Sequence, residues 1–91
     1  MRRVVWSDQA REDLVAIREY LATVSPAAAR ELTAALITLS EGLCEFPNRG
    51  RPVRLGLREL TSLRPYVIRY AVLDEEVRIV TIRHSARKPM A

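Results

Sequence analysis

The sequence has few of the residues from which catalytic and metal sites are usually built. Its 91 residues include one cysteine, one histidine, three glycines and five aromatic residues. The lone Cys44 cannot form an internal disulfide, and the chain lacks the four Cys or His ligands of a typical structural zinc site. We therefore expect no metal and no cofactor, and the cysteine usage favours a reducing, cytoplasmic location.

Long hydrophobic runs are also missing. The longest weakly polar stretch, Leu32 to Leu39, is interrupted by two threonines and is far shorter than the roughly 18 residues of a membrane span. At the N-terminus, Ser7 and Asp8 interrupt the apolar residues before they could form a signal-peptide core. We expect no membrane association, and the length predicts one small domain covering residues 1–91.

Charge is distributed unevenly between the two halves of the chain. Residues 1–45 carry five arginines and seven acids, whereas residues 46–91 carry nine arginines, one lysine and four acids. The first half is therefore slightly acidic and the second strongly basic. Arginine pairs with carboxylates and phosphates in bidentate geometry, so the basic half indicates either an acidic protein partner or nucleic acid. A solvated basic sheet without a ligand is the alternative.

Two amphipathic helices are predicted in the first half, after a short strand at Arg2 to Trp6. Ser7 and Ser25 are suitable N-caps, and Pro26 suits a first helical position. Apolar residues recur at helical spacing after each cap, and Pro47 is expected to end the second helix. The two apolar stripes comprise Ala10, Leu14, Ile17, Leu21 and Val24, then Ala29, Leu32, Leu36, Leu39, Leu43 and Phe46.

The second half is predicted to form strands. A turn-rich connector, Pro47 to Gly56, comes first. The segments Leu57 to Leu63, Tyr66 to Leu73 and Glu76 to Arg83 are then rich in β-forming residues and separated by short turns. The resulting order β-α-α-β-β-β predicts an α+β fold, an antiparallel sheet with a helical hairpin packed on one face. Strict alternation places Val77, Ile79 and Thr81 on one face of the last strand and Arg78, Val80 and Ile82 on the other.

Both faces of the predicted sheet carry apolar residues, although one helical layer covers only one of them. The uncovered face is expected to bind a partner. Trp6 and Tyr70 are expected in the core. The connector arginines Arg51, Arg54 and Arg58 could form a structural ion-pair network with Glu59.

Common enzymatic motifs, such as a P-loop or a nucleophile elbow, are absent. A metal-free ribonuclease needs a base, an acid and cations around the phosphate, and Arg58, Arg83 and His84 could supply part of that set. The alternative is that His84 only ends the last strand and Arg83 pairs with a partner protein.

Five segments together resemble the ParE branch of the RelE/ParE toxin superfamily. They cover almost the whole chain: WSDQAREDLVAIREYLA at 6–22, FPNRGRP at 46–52, GLREL at 56–60, PYVIRY at 65–70 and RIVTIRHSARKP at 78–89. The resemblance implies a helical hairpin on an antiparallel sheet, in agreement with the pattern above. It also implies the toxin of a type II toxin-antitoxin system, which is neutralised in a hetero-oligomer by a ParD-like antitoxin and poisons DNA gyrase.

The RelE branch instead cleaves mRNA on the ribosome, using basic residues and a Tyr or His near the C-terminus. No tyrosine follows Tyr70 here, so we expect gyrase inhibition without catalysis and without sequence-specific nucleic-acid binding. A non-toxic antitoxin-binding module is a third hypothesis. The expected target-binding residues are Arg69, Arg83, His84 and Arg87, and the expected antitoxin-binding residues are Arg58, Arg64 and Tyr70.

Overall fold

A computed structural model describes residues 2–85 of the chain. The elements are β1 Arg3–Trp6, α1 Asp8–Val24, α2 Pro26–Glu41, β2 Arg51–Pro52, β3 Leu57–Leu60, β4 Tyr66–Val72 and β5 Glu76–His84, with short 3-10 turns at Gly42–Cys44 and Arg54–Gly56. The predicted α+β class and the helical hairpin are confirmed. The two-residue strand β2 was not predicted.

The starts of both helices follow from local sequence. The hydroxyl of Ser7 accepts a hydrogen bond from the backbone N–H of Ala10, and the hydroxyl of Ser25 accepts one from that of Ala28. Each cap satisfies one of the backbone N–H groups that a helix start leaves unpaired. Pro26 occupies the start of α2, where its missing N–H costs nothing.

The end of α2 differs from the prediction. The helix stops at Glu41 rather than at Pro47, because Gly42 is a poor helix former and the chain tightens there into a 3-10 turn. Leu43 is still fully buried, but Phe46 is 63% exposed and does not extend the apolar stripe.

The sheet has five strands in the order β1-β5-β4-β3-β2. Neighbouring strands from β2 to β5 are antiparallel, whereas β1 lies parallel to β5, with Val4 opposite Val77 and Trp6 opposite Ile79. The sheet is therefore mixed rather than wholly antiparallel. A parallel neighbour needs a long crossover connection, and the helical hairpin with the strands that follow it provides one.

A β-bulge in β5 corrects the predicted facing of that strand. Arg69 pairs with Thr81 and the next residue, Tyr70, pairs with Ile79, so Val80 is left over. The extra residue changes the alternation, and Ile82 joins Val77 and Ile79 on the helix side while Thr81 lies on the other face.

The core lies between the helices and one face of the sheet. Its buried members from the helical half are Ala10, Leu36 and Leu43, and those from the sheet are Leu60, Tyr66, Ile68, Tyr70, Val77, Ile79 and Ile82. Trp6 packs against this cluster without being fully buried. Within residues 2–85, no helix is long and apolar enough to cross a membrane.

Candidate functional site

The face of the sheet opposite the helices is the largest candidate surface for binding a partner. Strand register assigns residues to this face, since side chains alternate along a strand and paired residues share a side. Within residues 2–85, no helix packs on this face. We call it the open face, and it comprises Arg3, Val5, Arg51, Leu57, Glu59, Val67, Arg69, Ala71, Glu76, Arg78, Thr81 and Arg83.

Glu59 is the central charged group of the open face. Its carboxylate accepts hydrogen bonds from Nε of Arg69, at 3.0 Å, and from Nη2 of Arg69, and it also pairs with Arg51 at 3.3 Å. The hydrogen bond from Arg69 lowers the pKa of Glu59 below its ordinary value of 4.5, and the charges of both arginines add to this effect against the opposing influence of burial. The carboxylate is thus held ionised between two cations.

Tyr70 fixes the connector from the other side of the sheet. Its hydroxyl accepts a hydrogen bond from the backbone N–H of Gly50 at 2.8 Å and donates one to the carbonyl of Pro47 at 2.7 Å. A Cβ at Gly50 would lie 2.7 Å from this hydroxyl and from the Glu59 carbonyl, so the close approach requires glycine. Burial raises the pKa of Tyr70 above its ordinary 10.0, against the hydrogen bond from Gly50 and the charges of Arg58 and Arg49.

Arg58 takes part in the same anchor. Its guanidinium donates to the carbonyl of Gly50 at 2.6 Å and, more weakly, to that of Asn48 at 3.4 Å. The predicted ion-pair network around the connector is thus present in part: Arg51 pairs with Glu59, whereas Arg58 binds backbone carbonyls instead.

The second part of the connector and β3 form a short hairpin at the edge of the sheet. We call β2, the turn Arg54–Gly56 and β3 the basic hairpin, and a hydrogen bond from Val53 N to Leu57 O, at 2.8 Å, closes it. Leu55 lies at its tip with a left-handed backbone, φ 62°, and its side chain is 92% exposed. A left-handed leucine costs about 1–2 kcal/mol relative to its normal conformation.

The three nuclease candidates do not converge. Arg83 pairs with Val67 on the open face, whereas His84 pairs with Tyr66 on the helix side, where the two rings meet edge to face at 5.4 Å. Arg58 lies on β3, two strands away from β5, and its guanidinium binds the backbone of the connector. The adjacent positions of Arg83 and His84 in sequence thus place them on opposite sides of the sheet, as alternation along a strand requires.

His84 and Tyr66 line a cavity of about 200 Å³ between α1 and β5. Asp13 lies at the same place, and its carboxylate accepts a hydrogen bond from the backbone N–H of Ile82 at 3.0 Å. The Ser7 hydroxyl likewise donates a hydrogen bond to the carbonyl of Val80. These two bonds supply partners for backbone groups of β5 beyond Ile79, where the pairing with β1 ends. The cavity is therefore a second, smaller candidate site.

The other predicted residues are spread over the molecule. Arg69 lies at the centre of the open face, Arg64 is exposed in the turn before β4, and Arg87 lies outside the described residues. Tyr70 has no exposed surface, so the prediction that it contacts an antitoxin is wrong. Its predicted position in the core is confirmed, and its hydroxyl holds the connector. Sequence reasoning missed Gly50 and Leu55, because neither a close backbone approach nor a positive φ at leucine has a local sequence signal.

Comparison with known proteins agrees with this architecture. The model of the family described as ParE toxin of type II toxin-antitoxin system, parDE, matches residues 4–89. The protein named toxin RelE2 of Caulobacter vibrioides is 49% identical over 87 residues, covering 96% of this chain and 99% of that protein. Toxin RelE3 of the same organism is 31% identical over 91 residues, covering 97% and 99% respectively.

A solved structure, described as a chromosomal ParDE TA system from P. aeruginosa, superimposes with a TM-score of 0.82. It is 28% identical, and the match covers 92% of this chain and 96% of that one. These matches define the class of the protein as a small toxin domain of a toxin-antitoxin pair. The chain belongs to the ParE toxin family of type II toxin-antitoxin systems, and its partner is an antitoxin.

Proposed function

We propose that this toxin inhibits DNA gyrase by binding it through the open face, without cutting nucleic acid itself, and that a ParD-like antitoxin neutralises it. The open face supplies Arg69 and Arg83 as the expected target contacts, together with the apolar Val67 between strands β3 and β5. A face that mixes arginines with apolar side chains suits a protein partner better than a phosphate backbone alone.

The observation that carries this proposal is the separation of Arg58, Arg83 and His84. Metal-free phosphodiester cleavage needs its base, acid and phosphate-binding cations around one reacting phosphate, within hydrogen-bond reach of it. Here Arg83 and His84 lie on opposite faces of the sheet, and Arg58 donates to backbone carbonyls. The arrangement favours a binding function over catalysis.

mRNA cleavage is the second candidate function. It is favoured by the cavity in which His84 meets Tyr66, since an imidazole beside a phenol offers an acid and a base at one place. Two relatives also carry the name RelE. In this alternative the helix-side cavity, rather than the open face, would be the active site.

The deciding experiment compares gyrase supercoiling and DNA cleavage with mRNA cleavage on programmed ribosomes, using purified toxin with and without its antitoxin. We expect cleaved DNA to accumulate with gyrase, antitoxin to prevent it, and mRNA to remain intact. Cut mRNA with unaffected gyrase would overturn the proposal and favour the nuclease.

Variants locate the surface responsible. Arg83→Gln is expected to weaken gyrase inhibition about tenfold, the scale of one lost charged contact, while Arg30→Gln, an exposed arginine of α2 on the helical side, serves as the matched control. Equal inhibition by Arg83→Gln and the control would contradict a role for the open face. His84→Gln is expected to leave gyrase inhibition unchanged, contrary to the expectation from sequence that His84 contacts the target, because His84 faces the helix side of the sheet.

A further inference from the structure

A cavity of about 500 Å³ lies where the loop of the basic hairpin meets the open face. It is lined by three consecutive residues of the loop, Val53, Arg54 and Leu55, and by the paired residues Glu59 of β3 and Arg69 of β4. We call it the hairpin cavity. Of its lining residues only Arg69 is an expected target contact, so the cavity as a whole has no assigned role.

The sheet part of the lining is a completed ion pair. Glu59 accepts hydrogen bonds from Nε and Nη2 of Arg69, and the two side chains are only 10% and 29% exposed. A charge that already has its counterion and its hydrogen bonds costs less to bury than an unpaired one. Apolar atoms of a partner can therefore cover this pair.

The loop part of the lining offers apolar surface and one free cation. Val53 is partly buried, whereas the side chain of Leu55 is almost fully exposed. Removing such apolar surface from water is the main favourable term in protein association. Between them in sequence, the guanidinium of Arg54 forms no hydrogen bond or ion pair with residues 2–85, so it is available to a carboxylate of a partner.

The backbone of the hairpin is held in place before any partner binds. The N–H of Val53 donates to the carbonyl of Leu57 at 2.8 Å and closes the loop, while the Tyr70 hydroxyl binds the N–H of Gly50 at its base. Leu55 keeps a left-handed φ of 62°, and strained conformations of this kind concentrate at functional sites. A preorganised loop also loses less conformational freedom on binding than a flexible one.

The chemistry of the lining favours a protein segment over nucleic acid. A phosphate backbone would meet the carboxylate of Glu59 and two apolar side chains, and only the arginines would attract it. A protein segment matches every part of the lining when it carries an apolar side chain next to an acidic one. With two arginines against one carboxylate, the lining is complementary to an acidic segment rather than a basic one.

We propose that the hairpin cavity binds the antitoxin, taking an apolar side chain of an acidic antitoxin segment against Val53 and Leu55, with a neighbouring carboxylate on Arg54. The antitoxin is the partner that membership of the ParE family assigns to this chain, so the inference does not depend on gyrase being the target. Arg69 belongs both to the hairpin cavity and to the surface proposed for gyrase. On the proposed function, antitoxin in this cavity therefore also excludes gyrase from that surface directly.

The affinity of full-length toxin for its full-length antitoxin tests the apolar contact, with fluorescence anisotropy of labelled antitoxin as the measurement. Leu55→Asn keeps a residue that tolerates the left-handed backbone but removes the apolar side chain. We expect it to raise Kd about tenfold, the scale of a lost interface anchor. Val24→Asn removes another apolar side chain, 74% exposed at the end of α1, and is expected to leave Kd unchanged.

Arg54→Glu tests the contact with a carboxylate in the same assay. We expect it to raise Kd by more than about tenfold at low salt, because it brings two negative charges together. The difference from wild type should shrink as added salt screens these charges. Arg30→Glu changes the net charge by the same amount at an exposed position of α2, and this matched control is expected to have a much smaller effect.

Unchanged antitoxin binding by Leu55→Asn, or a loss no larger than that of Val24→Asn, would overturn the proposal, as would equal effects of Arg54→Glu and Arg30→Glu. Weaker gyrase inhibition by Leu55→Asn at unchanged antitoxin affinity would assign the cavity to gyrase instead. Binding of a labelled DNA duplex that is lost in Arg54→Glu, again at unchanged antitoxin affinity, would assign it to nucleic acid. Because the antitoxin affinities are measured without gyrase, a toxin that fails to inhibit gyrase removes the proposed function and leaves this inference standing.

Discussion

The two faces of the sheet are built from the same strands but differ in burial and charge. On the helix side, Ile68, Tyr70 and Ile79 are at most 1% exposed and pack into one apolar cluster. On the open face, the neighbouring positions hold Glu59 and Arg69, which pair with each other across strands. The comparison shows that the apolar side of the sheet stabilises the fold, whereas the open face carries charged side chains that are available for a partner. Substitutions on the two faces should therefore differ in their effect on the free energy of unfolding.

The largest effect is expected on the helix side. Ile79→Ala should lower the free energy of unfolding by about 3–4 kcal/mol, because it leaves a cavity in the fully buried cluster between β5 and the helices. Chemical denaturation followed by circular dichroism measures the loss. A loss below about 1 kcal/mol would contradict the assignment of this face as the core.

A smaller effect is expected where a polar group reaches out of the core. Tyr70→Phe should cost about 2 kcal/mol, because the buried N–H of Gly50 and the carbonyl of Pro47 both lose their partner. Hydrogen exchange of the Gly50 amide should accelerate more than that of amides within β4. Equal acceleration throughout the sheet would indicate that the hydroxyl does not anchor the connector.

On the open face, Glu59→Gln should cost about 1 kcal/mol at neutral pH, the scale of a partly exposed, hydrogen-bonded ion pair. Because folding lowers the pKa of Glu59, its stabilisation is fully present above the ordinary value of 4.5 and is lost as the pH falls through the lower folded-state value. Wild type and variant should therefore converge in stability at acidic pH. A difference that does not depend on pH would exclude the ion pair as its cause.

The smallest effect is expected for Val67→Thr, also on the open face. Valine and threonine have the same shape and similar strand propensity, and the position is only half-buried, so the change should stay within about 0.5 kcal/mol. Chemical denaturation of this variant and of Ile79→Ala under the same conditions measures the contrast between the two faces as a difference in the free energy of unfolding. A large loss would mean that the open face is packed against another part of the chain.

Local features of the fold could be predicted from sequence, and long-range ones could not. Ser7, Ser25 and Pro26 determine helix starts through contacts within four residues, so their roles follow from the sequence itself. The parallel pairing of β1 with β5 joins residues more than seventy positions apart, and the surplus Val80 depends on register with β4. Neither has a signal in the segment where it occurs.

The candidate site shows the same division. The basic second half and the uncovered face were predictable from charge counts and alternation. Which residues meet was not, since the facing of Arg83 and His84 depends on the strand register and the bulge, and the anchor of Gly50 on Tyr70 spans twenty residues. Leu55 has no sequence signature, because leucine normally avoids the conformation that it adopts.

The parallel pairing of the first and last strands has a consequence for folding. Residues 3–6 pair with residues 76–79, so β1 can join the sheet only when two segments more than seventy positions apart in the chain come together. The entropy of closing so long a loop must be lost before the pairing stabilises anything, which makes contacts of this kind slow to form. Folding of this domain is therefore expected to be slower than that of a helical bundle of the same length.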